Sequence, residues 1–576
     1  MDQWYLYCKK ADFYAISEKF NISPMLARII RNRGIVSDDE IDAYLNGGLE
    51  RLHDPFLLKG MQEAVVLTKE AILSHRKIRI IGDYDVDGIC SSYILKTFIS
   101  KAGGDCDVRL PDRLLEGYGM NEEMVRECKE DGISLIITCD NGVSSFDAVK
   151  LARSFGIDCI ITDHHEVPEN VPDANIIIDP KQKDCPYPFK EICGAGVAYK
   201  FVQALNRYMN LNEACLLDSL LQFAGMATIA DIVPLIDENR VLAKEGIKRL
   251  KNTDNLGLNK LFSARELEKA YLESYHVSFI ISPCINSAGR LKNAILAYNL
   301  LEENDEFVAE EIANGLCMLN EERKELTNKQ SIAAEKFIED SKREDGLIEK
   351  VLVVFLPDAH ESVAGIIAGR LKDKYNRPTL VITNSEDGLK GSGRSINQYN
   401  LIEELKRHSE LFQKFGGHAK ACGFTLKQNG TDWETVKKIS DSLNADCRLD
   451  ENDFINKIWI DIQLPFRYIT EEFVNELKKL EPFGTANEKP VFAEKNVFVS
   501  QAMIIGKNNN LLKLKMTGPD GTTIDGLIFG SEENTKKSYE EISRAHYISI
   551  LYYPDINYYR DMATPQAIIK AYKINQ

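Results

Sequence analysis

The sequence predicts an α/β protein with a parallel sheet in its first half, a smaller α/β domain beyond a long helix, and a C-terminal barrel of the OB type. Short apolar runs that end in acidic residues alternate with amphipathic stretches over residues 77–179, which is typical of parallel strands covered by helices. Residues 305–343 contain no proline and one glycine, which favours a single helix roughly 58 Å long, at ~1.5 Å per residue. From residue 457 strands and turns dominate, as in a small barrel.

These patterns divide the chain of 576 residues into five segments. At roughly 150 residues per domain, such a length is expected to form three or four domains. We predict an N-terminal helical segment at 1–60, an α/β domain at 61–304, a connecting long helix at 305–345, a smaller α/β domain at 346–450 and an OB-like barrel domain at 451–576.

The composition is that of an ordinary globular protein, with 44% hydrophobic and 28% charged residues. No apolar run approaches the ~20 residues of a membrane-spanning helix. The first residues lack the basic-then-apolar layout of a signal peptide. The thirteen cysteines are scattered and contain no CxxC pair, which disfavours a disulfide framework or a zinc ribbon. A reducing, cytoplasmic location is therefore expected.

The overall charge does not by itself indicate a polyanionic ligand. The formal net charge is −17, which usually disfavours nucleic acid. The charge is distributed unevenly, however, because residues 351–425 contain ten Lys and Arg against eight Asp and Glu. An acidic protein with one neutral-to-basic region can still bind a polyanion, so composition leaves the question open.

The most informative segment is the acidic end of the first predicted strand, where Asp83, Asp85 and Asp87 stand at alternate positions. If the strand continues, alternation places the three carboxylates on one face. Their mutual repulsion would be relieved by a polyvalent cation bound among them. The alternative is a solvated acidic turn in which Asp87 caps a helix that starts at Gly88.

Two later strand ends add to this acidic set. Asp140 closes one strand and the sequence Asp163-His164-His165 closes another. In open α/β sheets ligands bind outside the carboxyl ends of the strands, so these groups can meet. Carboxylates with imidazole are ligands for Mn²⁺, Zn²⁺ or Fe²⁺, although a paired His could instead form a hydrogen-bonded loop.

The motifs DYDVDG, TCDNG and DHH, about 53 and 24 residues apart, resemble those of the DHH phosphoesterase superfamily. Further motifs resemble its RecJ branch, the bacterial single-strand-specific 5′→3′ exonucleases. They are LPDRLLEGYG (110–119), GAGVAY (194–199), ATIADIVPL (227–235), INSAGR (285–290), HESVAGIIAGRL (360–371), GSGRS (391–395), GGHAKACGF (416–424) and LEPFGTANEKPVF (480–492). Residues 61–304 would then be the DHH catalytic domain, 346–450 the DHH-associated substrate-binding domain and 451–576 a nucleic-acid-binding domain.

The resemblance implies roles for particular residues. The implied metal ligands are Asp83, Asp85, Asp87, Asp140, His164 and Asp231, with Asp83 either a direct ligand or a neighbour of the ligands. His165 joins this catalytic group, close to the scissile phosphate rather than bound to metal. The implied substrate-binding residues are Arg113, Arg290, Ser392, Arg394 and His418. Arg113, Arg290 and His418 are expected in loops, and Arg394 is expected between two small, flexible residues. The implied cofactor is Mn²⁺, as two ions, with Mg²⁺ as the alternative.

The implied activity is metal-dependent 5′→3′ hydrolysis of single-stranded DNA to 5′-mononucleotides, in DNA repair and recombination. Single-stranded DNA is the implied partner, and a helicase and a single-strand-binding protein are further candidates. Two alternatives stay open. One is a DHH phosphodiesterase for short oligonucleotides or cyclic dinucleotides, which would have no use for an extended C-terminal track. The other is a non-catalytic DHH scaffold, which would be expected to lack some of the ligands.

Overall fold

The structure is a computed structural model that describes residues 2–575 except 114, 343–345, 387, 429 and 560–561. It separates into two compact units. The first unit contains Asp54–Asp231 and Gly246–Asn456, and the second contains residues 2–53, Ile232–Glu245 and the chain from Lys457. The predicted boundaries at 1, 345 and 576 lie outside the described residues. No helix within the described ranges has both the length and the apolar character needed to cross a membrane.

The chain begins with strand β1 (Gln3–Leu6) and the helices α1 (Phe13–Phe20), α2 (Pro24–Asn32) and α3 (Asp38–Asn46). Side chains that accept hydrogen bonds from first-turn N–H groups cap all three helices, as expected for Asp and Ser at these positions. Two short 3₁₀ helices follow, Leu49–Arg51 and Pro55–Leu57. The sequence predicted the helices of this segment but not its strand.

The first sheet is fully parallel and has five strands in the order β3-β2-β4-β5-β6. The elements are α4 (Met61–Leu73), β2 (Lys77–Ile81), α5 (Val86–Lys101), β3 (Asp105–Arg109), α6 (Glu122–Glu130), β4 (Leu135–Cys139), α7 (Phe146–Ser154), β5 (Asp158–Thr162) and β6 (Ile176–Ile178). Every residue of β4 is buried, as its continuous apolar sequence predicts. The sequence did not reveal β3, because its residues DCDVR are polar and lie at the sheet edge.

A run of helices follows this sheet in the chain and leads to the second α/β part. They are α8 (Gly194–Met209), α9 (Ala214–Ala230), α10 (Asp237–Leu250), α11 (Leu256–Ala264), α12 (Ser274–His276), α13 (Ser282–Leu291), α14 (Ile295–Glu302) and α15 (Glu306–Asp340), with a 3₁₀ turn at Lys269–Tyr271 and a π-helical turn at Val277–Ile281. Helix α15 is the predicted long helix, and Asp305 caps its start. The predicted end at Arg343 lies outside the described residues.

The second sheet has five strands in the order β10-β11-β9-β8-β7. Its elements are β7 (Leu352–Phe355), α16 (Glu361–Tyr375), β8 (Thr379–Ser385), β9 (Gly388–Arg394), α17 (Leu401–Arg407), a 3₁₀ turn at Ser409–Leu411, β10 (Phe412–His418), β11 (Ala421–Leu426) and α18 (Asp432–Asp446). Strands β7 and β8 run parallel, and the remaining pairs are antiparallel.

The second unit is built around a six-stranded sheet in the order β13-β14-β15-β16-β18-β17, which an additional β14–β17 pairing closes. Its elements are β12 (Lys457–Ile460), β13 (Ile462–Gln463), α19 (Glu471–Leu477), β14 (Phe492–Ile505), β15 (Leu511–Thr517), β16 (Thr523–Phe529), α20 (Glu532–Ala545), β17 (Tyr547–Tyr559) and β18 (Met562–Ile574), with 3₁₀ turns at Phe466–Tyr468 and Lys478–Leu480. Strand β1 pairs with β12, and Leu26 and Ile29 of α2 share its core with Leu464 and Phe466. The barrel prediction is confirmed.

Candidate metal centre and substrate cleft

The three alternate aspartates do not lie on a continuing strand, so that expectation was wrong. Strand β2 ends at Ile81, and α5 begins at Val86. Asp85 is the N-cap of α5, and its Oδ1 accepts hydrogen bonds from the N–H groups of Asp87 and Gly88 at 2.9 and 3.1 Å. Only glycine fits at position 88, because a Cβ there would collide with the backbone of Asp83. The strand therefore gives way to a tight turn that separates the carboxylates into two groups.

Asp140 follows β4 and is the central carboxylate of the site. Its backbone is left-handed, with φ 60°, which a non-glycine residue adopts only under tight local control. The side chain of Asn141 supplies part of that control, because its Nδ2 donates to the carbonyl oxygens of Ile81 and Cys139 at 3.0 and 2.9 Å. Asp140 is 3% exposed.

The imidazole of His164 lies among three carboxylates. Its Nε2 is 3.0 Å from Asp140 Oδ1, 3.5 Å from Asp87 Oδ2 and 3.8 Å from Asp231 Oδ2. Asp231 reaches this place as the C-cap of α9, far along the chain from the other ligands. Asp87 is fixed by the first N–H groups of α8, since Gly194 and Ala195 donate to its two oxygens at 2.6 and 2.7 Å.

His165 is oriented by its neighbours and remains accessible. Its Nδ1 lies 2.8 Å from Asp163 Oδ1, and the Tyr118 hydroxyl lies 3.1 Å from the same nitrogen. Tyr118 donates to the carbonyl oxygen of Asp140 at 2.7 Å. The side chain of His165 is 47% exposed, whereas that of His164 is only 10% exposed. The two histidines are therefore suited to different tasks, one inside the carboxylate group and one accessible to a substrate.

The charges at the site are held in a desolvated environment. Burial and the neighbouring carboxylates raise the pKa values of Asp83, Asp140 and Asp231 well above their usual range, and raise the pKa of Asp87 to about 6. Burial lowers the pKa of His164 to about 3. Such shifts are expected where like charges are collected without a counter-ion.

The donor atoms form groups compatible with divalent metal ions. Ligand atoms of Asp83, Asp85 and Asp140 lie within 4.8 Å of one another, as do those of Asp87, His164 and Asp231. The set Asp140, His164 and His165 satisfies the same limit. Asp83 Oδ1 is also buried without a hydrogen-bond partner, so its position is unexplained by the protein's own contacts. The residues present therefore fit a pair of oxygen- and nitrogen-liganded cations.

The predicted phosphate-binding residues of the second sheet come together, but on strands rather than loops. Ser392 and Arg394 are in β9 and His418 ends β10, so the loop expectation was wrong for His418. Glycine is needed at positions 391 and 393 because a Cβ would collide with Phe424 or Leu401, not because the chain turns.

Arg394 and His418 lie in one row across the sheet, since Ala421 pairs with both. Burial, together with the charge of Arg113, lowers the pKa of Arg394. Burial and the Arg394 charge likewise lower the pKa of His418. Arg394 thus lies beside a second arginine and an imidazole, an arrangement that an anion would stabilise.

The two remaining predicted contacts differ in local structure. Arg113 is in a turn, and its guanidinium carbon lies 5.0 Å from the centre of the Tyr84 ring. Arg290 is in helix α13, not in a loop as expected, and its Nη1 donates to the Ser362 carbonyl oxygen at 3.1 Å. Burial and the Arg113 charge lower the pKa of Arg290 to about 9. Both arginines thus belong to the same group of cations as Arg394.

Several site residues were not singled out from the sequence. Asp163 holds His165, Tyr118 contacts Asp140, and Asn141 fixes the turn beneath Asp140. All three are in the motifs that resemble those of the RecJ family, so position within a motif was the available signal. A fourth, Asn286 of α13, accepts a hydrogen bond from Val86 N–H at 3.0 Å. It lies in the quoted motif INSAGR.

Comparison with known families matches three parts of the chain. Residues 77–228 match the DHH family N-terminal domain, 349–448 the DHHA1 domain and 460–571 the RecJ OB domain. A protein of Bacillus subtilis strain 168, named single-stranded-DNA-specific exonuclease RecJ, is 37% identical over 96% of this chain and 69% of its own length. A protein of the same name from Escherichia coli K12 is 30% identical over 95% of both chains. This chain belongs to the RecJ family.

Solved RecJ structures agree with this assignment. RecJ from Thermus thermophilus in complex with Mn²⁺ superposes with a TM-score of 0.83 at 24% identity, covering 100% of this chain and 80% of the other. An exonuclease RecJ bound to manganese has a TM-score of 0.57 at 30% identity, covering 67% of this chain and 94% of the other. The RecJ fold, with DHH, DHHA1 and OB domains, is thereby confirmed, as is the predicted resemblance.

Proposed function

We propose that this protein is a metal-dependent exonuclease that hydrolyses single-stranded DNA in the 5′→3′ direction to 5′-mononucleotides, in DNA repair and recombination. The observation that carries the proposal is the convergence, within one unit, of two acidic ligand groups and a row that contains the desolvated side chains of Arg394 and His418. The acidic groups can hold divalent metal ions, and the row with Arg394 and His418 can hold the phosphates of a strand. Family membership supports the same activity.

The metal ligands in this proposal form two groups joined by Asp140. Asp83, Asp85 and Asp140 would hold one Mn²⁺ ion, and Asp87, His164 and Asp231 the other, with Asp140 close to both because His164 Nε2 is 3.0 Å from its Oδ1. Mg²⁺ is the alternative ion, although imidazole ligation favours Mn²⁺. When bound, two such ions neutralise phosphate oxygens, lower the pKa of the attacking water and stabilise the leaving oxygen.

His165 would position the scissile phosphate. Its ring is held by Asp163 and Tyr118, and nearly half of the side chain is exposed. An imidazole fixed in this way can donate a hydrogen bond to a phosphate oxygen without first losing conformational freedom. In this proposal His165 acts on the substrate, whereas Asp163 and Tyr118 are positioning residues.

The 5′ end of the strand would be held by Arg394 and His418 of the second sheet. The side chains of Arg394 and His418 can receive the terminal phosphate, with Ser392 one row further along β9, and Arg113 and Arg290 complete the positive surroundings. Charge-assisted and bidentate contacts from arginine are the strong form of phosphate recognition. Anchoring the terminal phosphate beside the ligand groups would set the cut one nucleotide from the end.

Two further features follow from this proposal. In this proposal a narrow cleft would admit a single strand and exclude a duplex, and the second unit, which contains the RecJ OB domain match, would bind a further part of a long strand. We also propose a cytoplasmic location, with a helicase that supplies single strands and a single-strand-binding protein as partners. The extended track is what distinguishes this proposal from a DHH phosphodiesterase for short oligonucleotides or cyclic dinucleotides.

One set of assays tests the proposed function. Single strands labelled at either end, duplex DNA, RNA and a dinucleotide are incubated with the purified chain in Mn²⁺, Mg²⁺ or EDTA. We expect mononucleotides from the 5′ end of single-stranded DNA, abolished by EDTA and restored by Mn²⁺. Preferred cleavage of the dinucleotide would support the short-substrate alternative, and no cleavage of any substrate with either ion would support a scaffold.

A further inference from the structure

A cavity of about 470 Å³ lies within the first unit, next to the row of Arg394 and His418, which we call the phosphate row. Its lining includes Tyr84 and Tyr118 from the catalytic part, and Lys390 and Lys414 from the second sheet. Neither Tyr84 nor either lysine has a role in the proposed phosphate hydrolysis. Cavities of this size are typical of sites that enclose a small ligand or one part of a larger one.

One wall of the cavity is a regular surface of three strands. The pairing of β9, β11 and β10 places Lys390, Thr425 and Lys414 in one row. The next row on the same face is Ser392, Gly423 and Gly416, and the row after that contains Arg394, Ala421 and His418. At ~3.3 Å per residue, the two cationic rows are about 13 Å apart along the strands, with the glycine row between them.

The glycines of the middle row are not explained by the protein's own contacts. Three glycines outside that row do have such an explanation, because Gly417 has φ 131° and side chains at 391 and 393 would collide with their neighbours. By contrast, Gly416 and Gly423 do not have a positive φ, and a Cβ at either position would meet no atom within 4 Å. Glycine in a strand often marks the close approach of a ligand. The space above these two glycines is therefore available to an occupant of the cavity.

The side chains around this surface define what the occupant can be. Lys390 is 3.4 Å from Glu361, which also lines the cavity, so the local charge is partly balanced. Lys414 is exposed and forms no ion pair within the described ranges of the chain. The Tyr84 ring, already in contact with Arg113, supplies an aromatic surface. A flat floor, an aromatic ring and amine donors suit a planar ring with nitrogen and carbonyl acceptors.

We propose that this cavity binds the base of the 5′-terminal nucleotide, with Gly416 and Gly423 as the floor and Lys390 and Lys414 as donors to the base. The inference rests on the proposed function, because the base is located by the phosphate that Arg394 and His418 hold. Contacts to a ring face and to acceptors shared among bases would secure the end of the strand without reading its sequence.

The central test removes the base and keeps the phosphate. Two 5′-phosphorylated single strands are compared, one with an ordinary terminal nucleotide and one with a terminal tetrahydrofuran residue that lacks a base. We expect the base-free end to be cleaved with about tenfold to a hundredfold lower kcat/KM, the range of stacking contributions. Fluorescence anisotropy in EDTA measures the binding of the same strands without turnover. We expect the strand with the ordinary terminal nucleotide to bind more tightly than the base-free strand.

Variants locate the effect in the cavity. Gly423→Val fills the floor and should weaken the ordinary end strongly while hardly changing the base-free end. Gly315→Val is the matched control, because a Cβ at Gly315 in α15 also meets no atom within 4 Å, and this residue is outside the cavity lining. Lys414→Ala should reduce the preference for the base and leave the preference for a 5′-phosphate unchanged. Arg394→Ala should reduce the preference for a 5′-phosphate and leave the preference for the base unchanged.

The outcomes separate this inference from the proposed function. Equal cleavage and equal binding of the two ends by the unaltered chain would overturn the base site while leaving the exonuclease intact. The same conclusion would follow if Gly423→Val weakened both ends equally. If no strand is cleaved, the proposed function fails, and the anisotropy comparison still decides whether the cavity recognises a base.

Discussion

Replacing Gly194 by alanine tests how closely helix α8 must approach the metal ligands. Gly194 is the first residue of α8, and its N–H donates to Asp87 at 2.6 Å. A Cβ at this position would lie 2.6 Å from the Cβ of Asp140 and 3.0 Å from its Cα. Because non-bonded carbons are ordinarily separated by about 3.5–4.0 Å, either α8 or the turn at Asp140 must move by roughly 1 Å.

The expected effects follow from that displacement. A shift of about 1 Å in a catalytic constellation can lower the rate about a hundredfold, so Gly194→Ala should reduce kcat by that order. Overpacking of this kind also lowers the free energy of unfolding by about 1–3 kcal/mol. Asp140 cannot easily yield, because its left-handed backbone is fixed by the hydrogen bonds of Asn141 to two neighbouring strands.

The assay compares Gly194→Ala with Gly315→Ala, a helical glycine whose added Cβ meets no atom within 4 Å. We expect Gly315→Ala to retain full activity and to gain about 0.5–1 kcal/mol in stability by removing a glycine from a helix. Urea denaturation gives stability, single-strand cleavage gives kcat, and calorimetric titration with Mn²⁺ gives metal affinity. Activity of Gly194→Ala within twofold of the unaltered chain would refute the reasoning, since the two segments would then be free to adjust.

Three further expectations concern the ligands, the phosphate row and the second unit. Asp140→Ala or His164→Ala should remove nearly all hydrolysis yet keep the circular dichroism spectrum, and activity within tenfold of the unaltered chain at saturating Mn²⁺ would contradict the two-ion arrangement. Arg394→Ala should lower kcat/KM about ten- to a hundredfold, most for 5′-phosphorylated strands, and Arg394→Lys should recover part of this loss. Equal cleavage of 5′-phosphorylated and 5′-hydroxyl strands by the unaltered chain and both variants would argue against Arg394 as the phosphate anchor. In the second unit, burial raises the pKa of Asp461 above its value of about 3.9 in the unfolded chain. Ionised Asp461 therefore destabilises the folded protein above the raised pKa, and this destabilisation disappears as the pH falls towards about 3.9. Urea denaturation from pH 7 to 4 should show this relative gain in stability for the unaltered chain but not for Asp461→Asn.

The parallel sheet and the convergence of its acidic strand ends could be predicted from sequence because both depend on local pattern. Buried strands such as β4 consist of continuous apolar residues, and parallel strands necessarily present their carboxyl ends at one edge. Edge strands carry no such signal. Strand β3 is polar, and β1 forms only by pairing with β12 more than 450 residues later.

The sequence did not indicate that the glycine-rich phosphate-binding motifs lie on strands, and the reason is physical. Glycine-rich stretches normally indicate turns, yet β9 is a regular strand in which glycine makes room for Phe424 and Leu401. The distinction depends on which side chains pack across the sheet, and a single sequence does not contain that information. Asp231 illustrates the same limit, since only the path of α9 brings it within 3.8 Å of His164.

The N-terminal segment belongs to a domain whose other part lies at the far end of the chain, which the order of segments in the sequence does not indicate. A prediction from the sequence treated residues 1–60 and 451–576 as separate segments, and on that basis a deletion after Asn456 would remove one module. In the structure Leu26 and Ile29 of α2 are buried in one core with Leu464 and Phe466. Such a deletion would therefore expose the apolar face of α2, and a test of the track is better made by substitutions on the barrel surface.

The acidic composition and the proposed polyanionic substrate are reconciled by where the charges lie. Arg290 and Arg394 are desolvated and face Arg113, so their charges are destabilised in the free protein. A phosphate that enters this group gains more than it would from exposed lysines, because little solvent remains to screen the contact. Few contacts then suffice, and few counterions are released on binding. The affinity of short 5′-phosphorylated strands should accordingly fall only gently with salt, as expected for recognition of a strand end rather than of a long backbone.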